Sequence, residues 1–69
     1  MNKWSDKLIE LSREYLNYDG VKVKSLIPEF GVLNIDYDSQ TYTISIFNSG
    51  QTLTFKSVDD IIKAGWVVD

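Results

Sequence analysis

Thr41-Tyr42-Thr43-Ile44-Ser45-Ile46-Phe47-Asn48-Ser49-Gly50-Gln51-Thr52-Leu53-Thr54-Phe55-Lys56 is the stretch that decides the fold. Tyr42, Ile44 and Ile46 alternate with Thr41, Thr43, Ser45 and Phe47, the period of two expected of a strand with one face in a core. Asn48-Ser49-Gly50-Gln51 has hairpin chemistry, and beyond it Leu53 and Phe55 restore the alternation over residues 52–56. Upstream, residues 32–37 carry Leu33, Ile35 and Tyr37 on one side and reach Thr41 through the reversal Asp38-Ser39-Gln40. Residues 21–27 place Val21, Val23 and Ile27 on one face and Lys22, Lys24 and Leu26 on the other. Pro28-Glu29-Phe30-Gly31 is expected to be the turn between them, with Pro fixing φ and Gly31 taking the positive φ that closes it.

The flanks read as helices. Residues 5–18 read as a helix: Trp4 just before it and Leu8, Leu11, Tyr15 and Tyr18 within it follow helical spacing, widened by Ile9 and Leu16. Ser5 has the character of an N-cap, Trp4 and Ile9 are placed for a hydrophobic staple, and Gly20 suits a left-handed stop. Ser57-Val58-Asp59-Asp60 has capping-box spacing and opens a short helix over residues 58–64, carrying Ile61 and Ile62 and ended by Gly65. Val67 and Val68 either form a short extra strand or pack over the sheet. The expected architecture is a single α+β domain of two layers in the order α-β-β-β-β-α. Its four strands form an antiparallel meander, with both helices on the one face rich in large apolar residues.

Composition narrows the chemistry. The 69 residues include nine aromatics, enough to give so short a chain a core. There is no cysteine and no histidine, which removes disulfides, thiolate ligands, the commonest general base and the commonest transition-metal ligand. Asp36-Tyr37-Asp38-Ser39-Gln40 fails as a calcium loop, because Thr41 and Phe47 stand where a Gly and a Glu are required. The acid pairs Asp59-Asp60 and Glu10-Glu14 fall in a first helical turn and on a solvated helix face, so they read as structural. Ser and Thr have no activating base, and the four glycines are accounted for by turns and caps, leaving no phosphate loop. No catalytic residue, cofactor or metal site is expected. The N-terminal residues lack the apolar run of a signal peptide and no stretch has transmembrane length, so the expectation is a cytoplasmic protein with no membrane partner.

A net charge of -3 argues against direct nucleic-acid binding. The helix–strands–helix order resembles that of double-stranded-RNA-binding domains, but the helix after the strands opens Val58-Asp59-Asp60 where a lysine cluster would be required. Placing the apolar residues on one face sets Leu26 opposite Val32 and Val32 opposite Phe47. With Phe30 in the adjoining turn, these residues form an apolar row on the outer sheet face, away from the helices. The expected role is a non-enzymatic module that binds a protein partner or itself through Leu26, Phe30, Val32 and Phe47, or through an open strand edge. The alternative is an acidic inhibitor that mimics nucleic acid and blocks a nucleic-acid-binding protein. In size, charge and aromatic content the chain is similar to proteins encoded by bacteriophages and mobile elements. For mimicry, either Asp6, Glu10 and Glu14 or Asp36, Asp38, Asp59 and Asp60 must converge on one surface.

Overall fold

The computed structural model describes residues 4–69. The elements run α1 Asp6–Tyr15, β1 Lys22–Ser25, β2 Phe30–Asp36, β3 Thr41–Ile46, β4 Thr52–Phe55, α2 Val58–Lys63 and β5 Trp66–Val68. The α+β class holds, with one correction: the sheet has five antiparallel strands, in the order β4-β3-β2-β1-β5. The meander spans the first four. α2 then carries the chain from β4 to the far side of the sheet, and Gly65, at φ +97°, reverses it. Trp66, Val67 and Val68 therefore pair with Ser25, Lys24 and Val23 instead of folding over the outer face.

Alternation delivers the core. Val23, Leu33, Ile44 and Ile46 project from one face of the sheet and cluster with Leu16 of α1, Ile61 and Ile62 of α2, and Trp66. Both helices are capped where the sequence places caps. Ser5 Oγ accepts from the Leu8 N–H at 3.2 Å, and Ser57 Oγ accepts from the Asp60 N–H at 3.1 Å. Arg13 and Asp59 form an exposed ion pair that links α1 to α2.

α1 is rotated from its expected seating. Ser12 and Leu16 are fully buried and Ile9 packs on the core, while Leu11, Tyr15 and Tyr18 of the expected stripe are exposed. The reason is a hydrogen bond that apolar periodicity does not register. Ser12 Oγ donates to the Leu8 carbonyl at 2.8 Å and accepts from the Val68 N–H at 3.0 Å, so α1 lies along β5 with its smallest side chain innermost. Trp4 extends the same seam, its indole N–H donating to the Gly65 carbonyl at 2.9 Å and its ring 5.5 Å from the Lys24 ammonium.

Gly31 differs as well. It lies within β2, and a Cβ there would stand 2.6 Å from the Ser45 carbonyl oxygen, so glycine is required by the close approach of β3. The turn closes earlier: the Ser25 N–H donates to the Glu29 carbonyl at 2.9 Å, and Ser25 Oγ accepts from the Glu29 N–H at 3.0 Å.

Candidate protein-binding surface

Register decides which side chains share the outer face, and it departs from the expected one. Val32 lies opposite Lys22 on one side and Ser45 on the other. Phe30 is opposite Lys24, and its carbonyl accepts from the Phe47 N–H at 2.8 Å. The row Leu26–Val32–Phe47 therefore does not form. In its place, Phe30 and Phe47 face each other directly across β2 and β3, both about half exposed, and Val32 stands one row away. Leu26 leaves the sheet altogether, because β1 ends at Ser25. The Ser25–Glu29 hydrogen bonds turn Leu26 toward Gly65, whose ideal Cβ position lies 3.6 Å from the leucine Cδ1.

Three of the four, Leu26, Phe30 and Phe47, are nevertheless gathered at one end of the sheet, the end bearing the β1–β2 and β3–β4 connections, whereas Val32 pairs with Lys22 farther along β2. Five exposed large apolar side chains belong to this end: Leu26, Ile27, Phe30, Phe47 and Leu53. On its helix-bearing side is a groove of about 480 Å³ lined by Ser25, Leu26, Ile27, Glu29, Leu53, Phe55, Ala64 and Trp66. Only Ser25 and Glu29 bring charge or hydroxyl to the lining, and Ser25 Oγ is occupied by the Glu29 N–H. Ile27 is 74% exposed on the rim, whereas Trp66 is 3% exposed within the wall. Such a groove accepts apolar side chains or an aliphatic group.

Leu53 and Phe55 share the helix-bearing face, as their alternation predicts, and Phe55 packs against the core, but Leu53 opens onto the groove for a geometric reason. α2 has six residues, about 9 Å of helix. Five strands span roughly 19 Å, so a helix this short, with α1 committed to β5, covers Phe55 of β4 and leaves Leu53 exposed. Counting helix residues against strands is the signal that would have found it.

The opposite end of the sheet is polar. Asp36 and Asp38 lie at the β2–β3 turn, Asp59 and Asp60 at the start of α2, and Asp19 and Asp69 where β1 begins and β5 ends. Much of this acid is engaged. Asp36 accepts from the Asp38 and Ser39 N–H groups at 3.1 and 3.4 Å, Asp19 accepts from the Ile35 N–H at 2.7 Å, and Asp59 holds Arg13. Asp6, Glu10 and Glu14 lie on α1, whose last turn meets this group through the Arg13–Asp59 pair. Among the described residues no three His, Cys, Asp or Glu side chains are arranged to hold a metal ion, and no helix is long and apolar enough to cross a membrane. Comparison of the chain with protein-family models, with curated proteins and with solved structures finds no match.

Proposed function

We propose that the protein is a non-enzymatic binding module that takes apolar side chains of a protein partner at one end of its sheet. The observation that carries this reading is the concentration of exposed apolar groups there. Leu26, Ile27 and Leu53 border a groove on one side of the β1–β2 connection, and Phe30 and Phe47 stand on the other. Monomeric soluble domains rarely expose a contiguous apolar patch of more than a few hundred Å² without a use for it. Aromatic anchors beside an apolar groove are the usual makings of a binding hot spot. A non-enzymatic role accords with the lining, which brings together no acid–base pair.

The test is capture from extracts of native cells with the wild type, Ile27→Asp and Phe47→Asp as baits, at low and moderate salt. Both side chains are exposed, so the substitutions leave folding nearly unchanged. A partner held by the wild type at both salts and lost from both variants is the expected result. A partner retained by both variants overturns it.

The second reading, mimicry of nucleic acid, draws support from the aspartates of the polar end. Lys22 and Lys56 share that end, Arg13 pairs with Asp59 and Lys24 with Asp69, which offsets part of that acid. Capture that survives both substitutions but falls steeply between low and moderate salt favours this reading.

A further inference from the structure

The two borders of the sheet are finished differently. At β5, the Lys22 carbonyl accepts from the Asp69 N–H at 2.9 Å, so the Val68 N–H faces outward, where Ser12 Oγ receives it. At β4, the Gln51 carbonyl accepts from the Ile46 N–H at 2.9 Å. With the pairs Ile44–Leu53 and Tyr42–Phe55 following in register, the N–H and C=O groups of Thr52 and Thr54 face away from β3. Among the described residues nothing pairs with them. Nor does β4 carry the devices that protect an edge: it has no proline and no charged side chain within Thr52–Phe55.

We propose that β4 is a self-pairing edge, which joins antiparallel to β4 of a second copy about a two-fold axis at Thr54. The occupant must be extended, because only an extended chain meets alternating N–H and C=O groups at strand spacing. Three features of the strand fit a second copy. In the Thr54-centred register, Leu53 stands opposite Phe55 of the other copy on the helix-bearing face, and Thr54 stands opposite itself on the outer face; both are favourable cross-strand pairs. The single charge nearby, Lys56, falls opposite Thr52, so no like charges oppose each other. Residues 50–57 contain no acid in a chain of net charge -3, so two copies meet along this strip without opposing carboxylates. The interface is isologous and closes after two copies. It shares Leu53 and Phe55 with the groove of the partner-binding reading, yet the two are tested apart, because Ile27 and Phe47 lie outside the paired strand.

The experiment is solution mass by size exclusion with light scattering, for the wild type, Thr54→Lys, Thr54→Glu and an equimolar mixture of the two variants. Thr54 is exposed and directs its backbone away from β3, so circular dichroism of each variant should match the wild type. The wild type is expected at twice its 7.9 kDa chain mass, each variant alone at the chain mass, and the mixture back at twice that mass. Like charges meet in each variant pair, whereas opposite charges meet in the mixture. A wild type that stays at the chain mass up to about 1 mM overturns the proposal. So does a Thr54→Lys variant that keeps the doubled mass, or a mixture that stays monomeric.

Discussion

β5 and β4 border the same sheet, yet they solve opposite problems. β5 is three residues long and is closed by α1: Ser12 takes the outward Val68 N–H, Trp66 is buried, and Trp4 bonds the Gly65 carbonyl. β4 keeps its outward hydrogen-bonding groups available and has Leu53 36% exposed beside a groove. The difference teaches that helix cover in a small domain is a limited resource. With only 10 and six residues of helix, one border is closed and the other is left uncovered.

Substitutions at the two borders should therefore differ sharply in cost. The largest effect is expected at β5, where Trp66→Ala should lose about 3–5 kcal/mol in urea unfolding followed by circular dichroism, because it empties a buried site. Leu53→Ala at β4, measured in parallel, should cost less than about 1 kcal/mol. Equal costs would erase the distinction. Next comes Ser12→Ala, expected to cost about 1–3 kcal/mol by leaving the Val68 N–H without its acceptor. Hydrogen exchange sharpens this one: the Val68 amide should lose protection while those of β3 keep theirs. Smaller again is Ser57→Ala, at about 1 kcal/mol from a lost N-cap, which tests how much the first turn of α2 contributes. At the bottom of the scale, Thr54→Lys should shift monomer stability by no more than about 0.5 kcal/mol. A larger loss would mean that the β4 edge is less open than its geometry indicates.

Much of the fold is legible in the alternation of residues 32–56 and in the serine caps, because backbone period and cap chemistry are local properties. Ser5 and Ser57 cap as their positions predict, and Asp36 bonds the turn that its sequence proposes. What escaped is non-local. Ser12 looks like an ordinary polar residue on a helix whose apolar stripe lies elsewhere, and only the arrival of Val68, 56 residues away, makes it central. Gly31 reads as a turn former until the approach of Ser45 shows that its missing side chain is the point. The candidate surface was partly visible. Leu26, Phe30 and Phe47 do share one end of the sheet, but the β1–β2 turn closes early, carrying Leu26 to the groove side and pairing Phe30 with Phe47.

The seam at β5 has an optical consequence. The chain has two tryptophans, and Trp4 and Trp66 both belong to that seam. Emission excited selectively at the indoles thus reports on the β5 border and, through Trp66, on the groove, but not on the outer edge of β4. Opening of the seam should redden both indoles together, whereas pairing at Thr54 should leave their emission unmoved. Docking of a partner in the groove, whose wall includes Trp66, should perturb one indole and spare the other. Wild type, Trp4→Phe and Trp66→Phe therefore form a set of dyes, already in the sequence, that separates the three events in one instrument.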